Sequence, residues 1–262
     1  MTIFGKHSIL SLAVLLLCAS AWTQADAQEH RNLEPEAKQL MALANQARAA
    51  AGVRPLRWDS ALAAAALKHT LRMVAEGPIA HQYPGELNVS ERAGLTGAHF
   101  DLIEENIAVA STAPAIHEGW MESKGHRENM LNPEVDSVGI AVVASRGVLY
   151  ATADYSRGVE ALTQAQVESR FTELIQSTGV KVLADHSLAR SACVMDNGVP
   201  KSGGVSEPTF IMRWEGSDLS HLPKQLADRL ASRQFRDAAV GSCDAHGEDG
   251  TFTSYRVAVL LY

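Results

Sequence analysis

Three short polar stretches carry the residues whose types could do chemistry. They are Ala80-His81-Gln82-Tyr83, Glu105-Asn106-Ile107-Ala108, and the run from Trp120 through Gly125-His126-Arg127 to Asn129. Two neutral imidazoles and a carboxylate can bind Zn²⁺ and leave a fourth position for water. The same set can move protons, because histidine titrates near neutrality. His81, Glu105 and His126 are therefore the candidate site residues, His81 and His126 the candidate metal ligands, and Zn the possible cofactor. His81 and His126 stand 45 residues apart, so no compact metal motif joins them and only a fold can.

Other chemistries lack their signatures. His126-Arg127-Glu128 is an H-x-E triplet, but no P-C-x-x-C follows it, as a zinc deaminase needs. There is no H-E-x-x-H and no G-x-S-x-G. His117 reads as a helix-surface residue and His69 as a packing residue hydrogen-bonded at its rim. Trp58 and Trp120 read as core anchors. Asn106 and Asn129 flank the polar stretches, where side-chain amides can tie loops to backbone groups.

The elements that must position these residues follow from periodicity. Pro35 sits at a favoured first helical position, and Leu40, Met41, Ala44 and Ala47 recur at helical spacing up to Gly52. Val53 to Trp58 is extended. Asp59 is a good N-cap for a second helix whose apolar stripe includes Leu62, Ala66, Met73 and Val74 and which ends at Gly77-Pro78. Ile79 to Asn132 reads as a long irregular stretch holding two short helices, Ala98 to Glu105 and Ala113 to Ser123. A period-two pattern then runs from Val138 to Val143 and from Val148 to Tyr155 around Ser145-Arg146-Gly147, the mark of a β-hairpin. Helices first and antiparallel strands after make an α+β order.

Residues 160–262 form a second, smaller α/β unit. Helices are expected over Thr163 to Ser177 and Leu222 to Ser232, and strands over Thr209 to Trp214, Arg236 to Cys243 and Ser254 to Leu261. Gly198 to Pro208 reads as an exposed loop and Ala245 to Gly250 as a turn. No internal repeat between the halves is visible in the residues, and the second unit carries no catalytic motif.

The chain opens like a secretory leader. Lys6 and His7 precede an apolar run from Ile9 to Ala21, and Ala25-Asp26-Ala27 offers a small-x-small cleavage site, so residues 1–27 are expected to be removed. Cys18 follows Leu17, where lipidation wants a small neighbour. The run is short of the ~20 residues of a membrane span, so a secreted or periplasmic protein without a transmembrane segment is expected. The two cysteines that remain, Cys193 and Cys243, are expected to form a disulfide in an oxidising compartment. The net charge is −7, unchanged by loss of Lys6 and Asp26, and no basic run occurs, which argues against nucleic acid as a partner.

Residues from about 37 to 155 resemble the CAP superfamily of cysteine-rich secretory proteins, antigen 5 and pathogenesis-related proteins, in its bacterial exported branch. The resemblance rests on several motifs in order: Asn45-Gln46-Ala47-Arg48, Pro55-Leu56-Arg57-Trp58-Asp59, Ile79-Ala80-His81, Glu105-Asn106-Ile107-Ala108, Trp120-Met121-Glu122-Ser123, Gly125-His126-Arg127 and Val138-Gly139-Ile140. It implies a three-layer α-β-α sandwich over residues 35–157, with a groove lined by two histidines and two acids. By resemblance His81, Glu105 and His126 hold three of those positions, and Ser123 stands where the second acid would be. The implied function is a secreted binding module for a small lipid, peptide or cell-wall ligand. A metal-assisted hydrolase is the alternative, and a structural protein whose second unit binds a protein partner is a further one.

Overall fold

The computed structural model describes residues 34–201, 207–245 and 251–262. The leader, its cleavage site, Cys18 and parts of the two loops expected around 198–208 and 245–250 lie outside the described residues. The chain divides into two compact units: residues up to Ala98 with Ile103–Ser156, and His99–Leu102 with Arg157–Tyr262. No helix among the described residues is long and apolar enough to cross a membrane.

In the first unit α1 spans Glu34–Ala50, β1 Arg57–Trp58, α2 Ser60–Glu76, α3 Val89–Leu95, β2 Phe100–Ala110, α4 Ala113–Glu122, α5 Lys124–Leu131, β3 Ser137–Ser145 and β4 Val148–Gly158. The sheet order is β1-β3-β4-β2, with β1 parallel and β4 antiparallel to β3. Asp59 caps α2 as expected: its Oδ1 accepts from the backbone N–H groups of Ala61 and Leu62 at 2.8 and 3.0 Å. The β3–β4 hairpin closes through Arg146 and Gly147, both at positive φ (53° and 80°), the conformation that matches the twist of the flanking strands.

Both faces of this sheet are covered. On one face α2 approaches so closely that a Cβ on Gly139 would lie 2.0 Å from the Ala63 nitrogen. Only glycine allows that contact. On the other face Tyr155, opposite Val138, lies beside Arg48 of α1. The Arg48 guanidinium is fully buried and donates to the carbonyls of Arg54, Met130, Asn132 and Val135 at 2.7–2.9 Å. One side chain thus satisfies four loop carbonyls that no ladder reaches. The result is an α-β-α sandwich of α+β class.

In the second unit α6 spans Gln164–Gln176, β5 Lys181–Val182, α7 Ser187–Cys193, β6 Phe210–Gly216, α8 Lys224–Ala231, β7 Asp237–Cys243 and β8 Tyr255–Leu261. The sheet order is β5-β7-β8-β6. Val167, Phe171 and Ile175 of α6 and Leu226 and Leu230 of α8 pack on Ala238, Val240, Val257 and Val259. Ala189, Ala192 and Cys193 of α7 pack on the opposite face against Ala239, Ala258 and Leu260. Cys193 and Cys243 form the expected disulfide.

The two units share one topology, which the residues alone did not reveal. Each begins with a helix and a two-residue strand parallel to the first strand of a hairpin, and each places the outer strand and its helix between. Even the bonds at the short strand match. Arg57 and Asp59 donate to the carbonyls of Asp136 and Val138, and Lys181 and Leu183 donate to those of Arg236 and Ala238. Gly241, on the same face and two residues beyond the register counterpart of Gly139, makes a similar close approach: a Cβ there would lie 2.2 Å from the Arg190 nitrogen of α7.

Several expectations need correction. The helix expected over Ala98 to Glu105 is strand β2, because Glu104 and Glu105 face opposite sides of a sheet and do not share a helix surface. Gly125-His126 lies inside α5 and is not a turn. Trp58 is 39% exposed and anchors no core. The stretch Ile79 to Asn132 is largely regular, and α3, β5 and α7 were not anticipated.

Candidate functional site

Each motif has a definite place. His81 follows α2, Glu105 lies on β2 and His126 on α5. β2 is an outer strand of its sheet, and an outer strand leaves backbone groups unpaired. Side chains from α4 and α5 take them: Trp120 Nε1 donates to the Ile107 carbonyl at 3.1 Å and Asn129 Nδ2 to the Glu105 carbonyl at 3.2 Å. Asn106 completes the tie, donating to the His126 carbonyl at 2.8 Å and accepting from Asn129 at 3.0 Å. Trp120 is therefore the buried anchor expected of it, and the asparagines fasten α5 against the strand.

Glu105 is the centre of a mostly buried network. Its Oε1 lies 2.8 Å from His81 Nδ1, and its Oε2 accepts from Arg92 Nη2 of α3. Arg92 also donates to the Leu87 carbonyl at 2.9 Å and the His81 carbonyl at 3.3 Å. Behind it, fully buried His69 sets Nδ1 2.7 Å from Glu86 Oε1, while its Nε2 stands 3.9 Å from Glu105 Oε2. Burial raises the Glu86 carboxyl, but the bonds from His69 and the Tyr83 N–H, with the charges of His69 and Arg92, outweigh it and leave it lowered. Arg92, Glu86 and Asp154 belong to this network and had no signal in the residues read singly. Asp154 could have been suspected as an acid inside the alternating strand Tyr150 to Tyr155.

The two groove histidines differ in their surroundings. The bond to Glu105 raises the His81 pKa, against an opposing effect of partial burial. Burial, and then the neighbouring His81 charge, lower that of His126. No side chain among the described residues bonds the His126 ring. Ser123, at the position of the absent acid, separates α4 from α5 and makes no side-chain capping bond to α5. The two imidazoles are thus shifted in opposite directions, His81 toward its protonated form and His126 toward its neutral form.

The donor set does not fit a resident zinc ion. Glu105 is engaged at both oxygens, Oε1 by the His81 ring and Oε2 by the Arg92 guanidinium. That leaves two imidazoles, below the three or four protein ligands of zinc sites. Among the described residues no group of three or more histidine, cysteine or acidic side chains is arranged to hold a metal.

A cavity of about 410 Å³ opens beside Glu104 and is lined by Arg127, Glu128, Leu131, Asn132 and Pro133. Burial raises the Glu104 carboxyl, which accepts from Asn132 Nδ2 at 3.1 Å.

Residues 41–155 match the cysteine-rich secretory protein family, CAP, and the first unit is a CAP domain. The chain is 30% identical over 112 residues to uncharacterized protein YkwD of Bacillus subtilis (strain 168), covering 42% of this chain and 44% of that protein. It is 31% identical over 106 residues to uncharacterized membrane protein YlbC of the same organism, covering 40% of this chain and 31% of that one. It thus spans less than half the length of these curated relatives. Among solved structures it is similar to an extracellular protein containing an SCP domain from Bacillus anthracis str. Ames. The identity is 28% and the TM-score 0.44, over 48% of this chain and 41% of that one.

Proposed function

We propose that the CAP unit is an exported binding module whose His81–Glu105–His126 groove takes the polar head of a small lipid, peptide or cell-wall ligand. The observation that carries this reading is the division of labour in the groove. His81, bonded to Glu105, is shifted toward its protonated, donating form, and His126, lowered by burial, toward its neutral, accepting form. A hydroxyl or amide that both donates and accepts can bridge them. The carboxylate that a hydrolase would use as a base is engaged by His81 and Arg92, which favours binding over turnover. The leader expected over residues 1–27 and the Cys193–Cys243 disulfide agree with export to an oxidising compartment.

The test is a histidine-resolved NMR titration with muropeptides, short peptides and lipid micelles, each also assayed for hydrolysis. One ligand class should shift the His81 and His126 ring signals together, and His81→Ala should abolish binding without changing the fold. Absence of any shift at millimolar ligand, or turnover that survives His81→Ala and His126→Ala, would count against the proposal.

A further inference from the structure

Asp154 lies in the middle of β4 with its side chain wholly buried, and neither carboxyl oxygen receives a hydrogen bond from any donor among the described residues. Its neighbour is another carboxyl, Glu105, within hydrogen-bonding reach. Two carboxylates cannot bond each other without a proton between them. Around them stand Arg92 from α3 and His69 from α2, and His81 and Glu86 from the connection between those helices. The Arg92 cation is already bonded to Glu105 Oε2, the His69 Nδ1 to Glu86, and the His81 Nδ1 to Glu105 Oε1. No donor in that list is aimed at Asp154. A buried carboxyl so placed takes up a proton in preference to carrying an unpaired charge.

The second unit shows that the fold itself does not ask for an acid here. Counting from the short parallel strands, Ser137 corresponds to Asp237, and the hairpin registers then match Asp154, opposite Gly139, with Leu260, opposite Ala239. Leu260 sits in an apolar cluster with Ala189, Ala192 and Ala258. The same backbone position therefore packs well with an aliphatic side chain. An acid stands at this position where Glu105 is its neighbour, and an aliphatic side chain where no such carboxylate is present.

We propose that Asp154 is a positioning residue for the His81–Glu105 pair: as a neutral acid it donates its O–H to the Glu105 carboxylate and holds that carboxylate turned toward His81. This rests on the groove being the binding site, yet it concerns the unliganded protein and is tested without ligand. Burial, with the Glu105 charge beside it, raises the Asp154 pKa well above the ordinary carboxylate value, in agreement with the geometry.

Infrared difference spectra of the full chain at neutral pH should show a protonated-carboxyl C=O band that disappears in Asp154→Asn. The His81 ring should titrate in Asp154→Asn as in the wild type, because the amide still donates to Glu105. In Asp154→Leu, which copies the second unit, the donor is gone and the His81 midpoint should fall toward the ordinary histidine value of about 6.5. A wild-type spectrum without that band, or a His81 titration unmoved in Asp154→Leu, overturns the proposal. If Asp154→Leu does not fold, the infrared comparison decides alone. A groove that binds none of the ligand panel while these signatures hold defeats the binding reading and leaves this one standing.

Discussion

The two units of this chain place the same strand order under different side chains, and the contrast lies on one face of each sheet. In the first unit the interface between α2 and the hairpin is polar. Thr70 donates to Thr152 at 2.9 Å, and His69 and Asp154 are buried there beside Glu105 and Arg92, next to apolar contacts such as Met73 with Tyr150. In the second unit the matching interface holds alanines, Leu260 and a cysteine joined to Cys243. Buried polar groups need partners and cost stability when one is missing, whereas alanine and leucine need only to fit. One unit thus holds a demanding interface next to the His81–Glu105 pair. The other replaces it with a core closed by a covalent link, and no catalytic motif takes the site's place. The opposite faces are not contrasted in this way, since both carry helices on aliphatic strands.

If the shared topology is real packing and not mere similarity of order, the glycines should be its most sensitive points. Gly139→Val and Gly241→Val each drive a side chain into helix backbone. Each should lose about 4 kcal/mol or more and unfold its own unit first. Urea unfolding followed at Trp120 for the first unit and Trp214 for the second reads the two separately, and a valine tolerated at either position breaks the equivalence. The disulfide gives the next effect and should be one-sided. Replacing Cys193 and Cys243 by serine opens a closure of 50 residues, worth about 4 kcal/mol at most on the chain-entropy account. The second-unit transition should move to lower urea while the first stays fixed.

How much of this was legible depends on whether a residue's role is set by its neighbours in sequence. Asp59 and the stripe behind it announce α2, and the alternation from Val138 to Tyr155 announces the hairpin, because capping and periodicity are local. The disulfide was legible because only two cysteines remain beyond the expected leader. β2 was misread because Glu104, Glu105 and Asn106 interrupt any apolar alternation: their partners lie on α3, α5 and the loop after α2. The groove set of His81, Glu105 and His126 came from motif order, which stores spatial information that spacing does not. Arg92 and Asp154 had no such marker. The common topology escaped because backbone pairing repeats while the residues on it do not, and α7 is too short for a helical period to stand out.

Arg92 supplies a smaller and more local test of the polar face. It is nearly buried and pairs with the equally buried Glu105. Arg92→Met removes the cation and leaves that carboxylate uncompensated, which should cost about 3 kcal/mol in the first unit. Glu105→Gln in the same chain should recover part of it, since a neutral amide needs no counter-charge. Equal losses in the single and double variants would mean that Arg92 acts through its carbonyl bonds to His81 and Leu87 instead.

The smallest effect is also the most specific to His81 and His126, because their pKa values are shifted in opposite directions. The folded pKa of His81 is raised by Glu105. Its contribution is therefore complete below the unfolded value of about 6.5 and is lost as pH rises through the folded value. The folded pKa of His126 is depressed by burial and by His81, so stability is lost as pH falls from about 6.5 through its folded value. Together the two give the first unit a shallow stability maximum near pH 6.5, kept small because the His81 side chain is 57% exposed and its charge is screened. Subtracting the His81→Gln curve from the wild type should remove the alkaline limb, and subtracting His126→Gln the acid limb. The difference curves also cancel the separate and steadier slope from Asp154. A Trp120-reported transition whose two limbs both vanish with one substitution would show that the histidines titrate as a single coupled group, and the donor–acceptor division on which the binding reading depends would then fail.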